Sequence, residues 1–286
     1  MSSNEVTWKD KLKAYTRTPG SLIVMLLVML SAIMTFAVLI FLIVYVLAHG
    51  VPYLKPSIFS LHYTSENASL MPALINTVIM TLLSLLIAVP FGIFAAIFLV
   101  EYAKRGNKFV EVIRLTTETL QGIPSIVYGL FGMLFFVTAL KWKFSILAGA
   151  FTLAIMILPV ILRTTEEALL SVPDSYREGS FGLGAGKLRT IFKIVLPSAV
   201  PGILSGVILA TGRVVGETAA LLFTAGTIAK VAGLMDSGRT LAVHMYALSS
   251  EGLYMNQMYA TGVILMLIVL LINGCSGMIA KKIAKK

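Results

Sequence analysis

The stretch EGSFGLGAGKLRTIFKIVLP, residues 178–197, places four glycines within nine positions and a lysine directly after the last of them. A phosphate-cradling loop is the first chemistry such a run suggests. A Walker-type loop needs G-x-x-x-x-G-K-[ST], so that backbone N–H groups curl around phosphate oxygens while a hydroxyl reaches the metal. Counting back from Gly186-Lys187 puts Phe181 where the first glycine belongs, and Leu188 stands where the hydroxyl should be. A dinucleotide fingerprint fails as well: after Gly182 and Gly184 the third glycine would fall on Lys187, and no strand precedes it. What remains is a flexible basic turn whose meaning depends on its surroundings.

Those surroundings are apolar. Of 286 residues, 58% are hydrophobic and 13% charged, against about 45–50% and about 25% for a soluble domain. The chain reads as an all-α membrane protein. A single cysteine, Cys275, excludes an intrachain disulfide framework, and His49, His62 and His244 lack the spacing of a ligand set. No cofactor or metal motif is present.

A hydrocarbon core of ~30 Å takes about 20 apolar residues in helical conformation. Six stretches qualify: 22–48, 68–100, 119–140, 144–162, 194–229 and 252–280, the fifth broken only by Arg213 and Glu217. The six-helix domain is therefore expected over 22–280, between a cytoplasmic tail (1–21) and a basic tail (281–286). The first stretch is too long for the apolar part of a signal peptide and is expected to remain as an anchor. Lys and Arg residues are retained on the cytoplasmic side. Seventeen lie in the tail, the loops after the second and fourth spans and the C-terminus, against five in the opposite loops, so both termini are expected inside. The net charge of +10 is then a topology signal that also suits anionic lipid headgroups, and no nucleic-acid partner is needed to explain it.

The opening stretch thus falls in the long cytoplasmic loop 163–193. Its pattern is Glu178-Gly179-Ser180, three residues, Gly184, nine residues, then Ile194-Val195-Leu196-Pro197, preceded by Glu167-Ala168-Leu169-Leu170-Ser171-Val172-Pro173. This resembles the E-A-A-x3-G-x9-I-x-L-P signature of importer-type ABC permeases, with Gly179-Ser180 where two alanines are usual. The resemblance implies a short helix, a turn at Gly184 and a second helix, the first docking into a groove on a partner ATPase. Arg177, Lys187 and Arg189 are candidates to meet that partner's carboxylates. Two further runs, Gly122–Gly132 (GIPSIVYGLFG) and Gly212–Thr218 (GRVVGET), resemble the permeases of the phosphate-specific ABC importer. The run Glu217–Gly226 (ETAALLFTAG) favours the PstA type over its PstC-type partner. The similarity covers about residues 70–280.

That resemblance implies a bacterial or archaeal cytoplasmic-membrane permease without an ATPase site of its own. Its implied partners are a second, PstC-like permease, a pair of PstB-like ATP-binding subunits, a PstS-like phosphate-binding protein, periplasmic or lipid-anchored, and phosphate itself. Another oxyanion such as sulfate is the alternative substrate. An ion-coupled secondary transporter would show inverted repeats, and an intramembrane enzyme a nucleophile with its base; neither is evident.

Arg213 and Glu217 stand out even without a family, because ionisable residues inside a membrane normally face a polar pathway or a partner. A guanidinium matches tetrahedral oxyanions with paired hydrogen bonds, so Arg213 is the candidate phosphate ligand, with Glu217 holding it and moderating its charge. Four apart on one helix, the two could instead only neutralise each other. The same family resemblance implies Arg163, at the inner end of the fourth span, as a second candidate for the translocation path, and by position alone it could equally be a snorkelling interfacial residue. Gly202/Gly206 and Gly212/Gly216 have the small-xxx-small spacing of close helix packing. Pro124, Pro159, Pro197 and Pro201 are expected near helix ends, and Pro90 within a helix.

Overall fold

The structure is a computed structural model that describes residues 19–104 and 106–284. The basic tail with Lys9, Lys11, Lys13 and Arg17, together with Arg105, Lys285 and Lys286, lies outside the described residues. The chain divides into two units, Met1–His49 and Gly50–Lys286.

The first unit is represented by helix α1 (Pro19–Gly50). Between residues 21 and 49 it carries neither glycine nor proline, and its few hydroxyls turn back onto the helix: Ser31 Oγ donates to the Leu27 carbonyl at 2.9 Å and Thr35 Oγ1 to that of Ser31 at 2.8 Å. Its large apolar side chains are exposed throughout. With every backbone group satisfied internally and an apolar surface on all sides, α1 is built for hydrocarbon rather than water.

In the second unit two single 3₁₀ turns lead into α2 (Met71–Tyr102), whose last turn, from Phe98, is widened to π geometry. Then come α3 (Lys108–Gln121), α4 (Ser125–Ala139, its second half π-wound) and α5 (Ile146–Leu170). They are followed by α6 (Asp174–Gly182), α7 (Lys187–Val215), the single turn α8 (Ala219–Leu222), α9 (Leu241–Glu251) and α10 (Met255–Ala284). Among the described residues five helices are long and apolar enough to cross a membrane, and a sixth crossing is supplied if α3 and α4, bent by 101° at Gly122–Pro124, count as one broken span.

Pro124 stands at the start of α4, as expected of a residue near a helix end, and the third expected span, 119–140, is supplied almost wholly by α4. Pro124 cannot continue a helix into which it has no N–H to give, and α3 is amphipathic rather than apolar. It contains Glu111, Arg114 and Glu118, so it cannot be the inner part of a lipid-facing helix. The fifth span is corrected: α7 ends at Val215, and the backbone leaves helical geometry before Glu217. Pro159 and Pro201 lie inside α5 and α7, not at their ends.

Helix α5 is the hub. Ser145 caps its N-terminus, its hydroxyl accepting the Ala148 N–H at 3.2 Å. The next orphan donors, Ile146 N–H and Leu147 N–H, are taken by the carbonyls of Asp236 (3.0 Å) and Leu234 (2.9 Å) from the loop after α8. Leu153, Ile157 and Ile161 of α5 are fully buried against Met80 and Ala88 of α2 and Ala210 and Val214 of α7. Two glycines make that approach possible. A Cβ on Gly202 would meet the Ala168 Cβ at 2.6 Å, and one on Gly206 would overlap the Thr164 hydroxyl. Gly212 has open space where a Cβ would go, and Gly216 meets only its own helix, so the packing role expected of both pairs holds for the first alone.

Candidate functional site

The two runs GIPSIVYGLFG and ETAALLFTAG, some 90 residues apart in the chain, are packed on each other. A Cβ on Gly129 would lie 2.7 Å from the Ala220 Cα, and one on Gly132 would strike the side chains of Thr152 and Thr224. The glycines of α4 therefore serve the backbone of α8, which could not otherwise seat there. Tyr128, buried beside this contact, donates its hydroxyl to the Leu120 carbonyl across the α3–α4 bend at 2.8 Å.

Arg213 occupies the last turn of α7, half-buried. The partial negative charge of the helix C-terminus favours a cation there. Glu217 is buried, 8% exposed, in the break that follows, and its Oε1 accepts the Ala220 N–H at 3.1 Å. It is a cap for α8 rather than a neighbour of Arg213 on one helix face, which corrects the i,i+4 arrangement expected from the sequence. Among the described residues no carboxylate forms an ion pair with Arg213. Arg163 sits inside α5 and pairs with Glu167 at 2.7 Å, both side chains being about half exposed.

At the other end of α5 the glycine-rich stretch folds as a helical hairpin. Helix α6 carries Glu178, Gly179 and Ser180 and closes with Gly184 in the left-handed region, φ +81°. The N–H of Ala185 donates to the Ser180 carbonyl (3.1 Å) and that of Gly184 to the Phe181 carbonyl (2.9 Å), the two bonds of a Schellman closure. Ser180 Oγ and Thr190 Oγ1, 2.8 Å apart, pin the two arms together. The turn thrusts Leu183 outward, 91% exposed, with Tyr176 and Phe181 exposed behind it on α6. No side chain crowds Gly179 or Gly184. Pro197 lies near the start of the regular α-helical part of α7.

Of the hairpin's three cations, one is turned inward. Arg177 binds Glu101 at the end of α2 (Nη2 to Oε1, 2.8 Å) and also donates to the carbonyls of Val172 (2.8 Å) and Leu169 (3.0 Å). Lys187 lies over the Tyr102 ring, 4.9 Å from its centroid. Arg189 remains exposed. A second buried carboxylate, Glu166, accepts Arg114 of α3 at 2.6 Å. Glu101, Arg177 and Arg114 border a cavity of about 640 Å³ between α2, α3 and α6. Sequence reading missed Glu101 and Glu166 because each sits at a helix end beside basic residues, where a carboxylate reads as solvated surface.

The loop after α8 is anchored by Asn76, fully buried in α2. Its Nδ2 donates to the carbonyls of Lys230 (2.8 Å) and Arg239 (3.1 Å), and its Oδ1 accepts the Ala232 N–H at 3.0 Å. A lone Asn in an apolar span was the available signal. Among the described residues no group of His, Cys, Asp and Glu could hold a metal ion.

Comparison with known proteins accounts for this arrangement. The chain is 35% identical over 243 residues to "Probable ABC transporter permease protein YqgI" of Bacillus subtilis, covering 78% of this chain and 81% of that protein. It is 34% identical over 229 residues to "Phosphate transport system permease protein PstA" of Haemophilus influenzae, covering 78% and 80%. A bacterial alginate ABC transporter, solved in complex with its alginate pentasaccharide-bound periplasmic protein, contains a chain with the same fold (TM-score 0.71, 17% identity, 99% of both chains). Residues 88–285 match the family described as "Binding-protein-dependent transport system inner membrane component". The chain therefore belongs to that family of ABC-importer permeases, and within it to the PstA type.

Proposed function

We propose that this multi-pass membrane protein is one permease subunit of an ATP-driven importer of inorganic phosphate. The observation that carries the reading is Arg213: a half-buried cation on the last turn of α7, without a carboxylate partner among the described residues. A planar guanidinium presents paired donors to a tetrahedral oxyanion. The relatives named as phosphate permeases support the choice of anion. Glu217 fixes the short helix that follows Arg213 and keeps the surroundings from being purely cationic, so that the anion can leave as well as enter. Arg163, held by Glu167, is a candidate for the inner end of the path.

Energy comes from a separate pair of ATP-binding subunits. Helix α6, with Glu178, Gly179 and Ser180 behind the Gly184 turn, is the element that docks on them. A second permease completes the path, and a phosphate-binding protein delivers the anion from outside. Both termini lie in the cytoplasm, as the distribution of Lys and Arg requires.

The test is uptake of radiolabelled phosphate by cells that lack other phosphate importers and carry the assembled transporter. Uptake that excess sulfate leaves unchanged and Arg213→Gln abolishes is the expected result. Competition by sulfate at equal concentration would reassign the substrate, and unimpaired uptake by Arg213→Gln would overturn the role of Arg213.

A further inference from the structure

The loop cluster at the N-terminal ends of α2 and α5 holds a second cation that the reading above leaves unused. Arg239 is 4% exposed, and neither its Nε nor its Nη2 has a hydrogen-bond partner. Its backbone is fixed at both ends: the N–H donates to the Ile228 carbonyl at 3.1 Å, and the carbonyl accepts Asn76. The guanidinium lies over the ring of Tyr63, 4.6 Å from its centroid. That ring in turn meets His244 edge-on at 6.1 Å. His244 is fully buried with neither ring nitrogen in hydrogen-bond geometry, the Ala68 backbone alone lying close enough to act on it, and Thr240 Oγ1 has no partner. The nearest acidic residue in sequence, Asp236, is already paired with Lys230 at 3.4 Å.

Such a cluster is incomplete as it stands. A buried charged group whose hydrogen bonds are unmade is strongly disfavoured, and a single cation–π contact offsets only a small part of that. An anion rich in acceptor oxygens would satisfy those donors and the charge together. Tyr63 also lines a cavity of about 610 Å³ together with His62, Lys230, Ile75 and Val231. One ring thus both covers the arginine and borders a space large enough for a small anion. Burial first, and the charge of Arg239 second, hold the His244 pKa down at about 3 against the opposing Ala68 backbone, so its imidazole is neutral and keeps one acceptor nitrogen. Phosphate near neutral pH still carries a proton to give to such a nitrogen, whereas sulfate carries none.

We propose that Arg239, Thr240 and His244 form a second binding site for a protonated, phosphate-type oxyanion, separate from Arg213 and covered by Tyr63. The ring of Tyr63 occupies the guanidinium face until the anion displaces it. The site rests on the phosphate-import reading for its solute, since a phospholipid headgroup offers similar oxygens, though its diester carries no proton for His244.

The test uses the complete transporter in phosphatidylcholine nanodiscs, with Cys275→Ser and His62→Cys providing one thiol in the cavity wall. Inorganic phosphate is expected to slow modification of that thiol by a membrane-impermeant maleimide, and sulfate is not. Arg239→Gln should raise the protecting concentration at least ~30-fold and Arg239→Lys about tenfold, because a point charge lacks the paired geometry. Tyr63→Ala should lower it several-fold, because the competent arginine is then always available; a merely structural ring would not improve binding when removed. Protection unchanged by Arg239→Gln, or equal protection by sulfate, overturns the site. Protection that requires phosphatidylglycerol and ignores added phosphate assigns the oxyanion to a headgroup and overturns the solute assignment. Uptake by the unmodified transporter in the same preparations tests the import reading separately. Uptake without protection sinks this site alone, and protection without uptake sinks the import reading alone.

Discussion

The Glu217 carboxylate accepts the Ala220 N–H at 3.1 Å, beyond the end of the helix that carries Arg213. The two charges are therefore separate devices. Arg213→Gln should abolish phosphate uptake. The double change with Glu217→Gln should be no better, because there is no pair whose joint removal could restore balance. Glu217→Gln keeps an oxygen for the cap, whereas Glu217→Ala leaves the Ala220 N–H unmet and should destabilise the α7–α8 junction by about 1 kcal/mol. Uptake normalised to membrane protein, with thermal unfolding of each variant, checks the order. Recovery of transport in the double variant would mean that the charges only neutralise each other.

Gly184 holds φ at +81° in the closure of α6, in open space. A β-branched residue there is strained by roughly 1–2 kcal/mol from backbone conformation alone. Gly184→Val should insert normally yet lose transport, and Gly184→Asn, which tolerates the left-handed region, should retain much of it. Phosphate uptake alongside ATP hydrolysis by the assembled complex is the measurement. Full uptake by the valine variant removes the hairpin from the coupling role.

Arg177 and Glu101 are largely buried, with side chains 14% and 9% exposed. Removing one partner strands the other, at a cost of about 3 kcal/mol or more, while removing both is far milder. Glu101→Gln and Arg177→Gln should each lower the midpoint of thermal unfolding and weaken coupling, and the double variant should recover part of both. Additive losses would show that the pair does not hold α6 to α2.

His244 is buried neutral, its pKa pushed down to about 3 from an ordinary 6.5, with Arg239 and Tyr63 facing it. Between those values the unfolded chain binds a proton that the folded chain refuses. The stabilisation is complete above the unfolded value and is lost as pH falls toward the folded one, at about 1.4 kcal/mol per unit. His244→Leu should flatten that part of the profile, as read by thermal unfolding in detergent between roughly pH 5 and pH 7. An unchanged slope would place the titration elsewhere.

Ser180 lies in the hairpin and Ser250 is exposed on α9. In a Cys275→Ser background, an impermeant thiol reagent applied from the periplasmic side should reach Ser250→Cys and not Ser180→Cys. The opposite pattern would invert the orientation.

The sequence by itself determined the class and the punctuation of this protein. Apolar stretches of bilayer length and a one-sided distribution of Lys and Arg are additive, local quantities, so they survive without coordinates. The Gly184 turn was legible for a related reason: a left-handed closure is a property of one residue and its immediate neighbours. Tertiary structure alone decided what depends on distant partners. The 101° bend at Gly122–Pro124 sets an amphipathic α3, outside every expected span but for its last three residues, against the start of the third one. The seating of Gly129 on Ala220, the turning inward of Arg177 to Glu101, and the unmet donors of Arg239 beneath Tyr63 each join residues many turns apart. Glu217 shows the limit most sharply. Four residues after Arg213 it reads as the next position on one helix face, and only the coordinates show α7 ending at Val215 and the carboxylate turned onto the Ala220 N–H of the next helix.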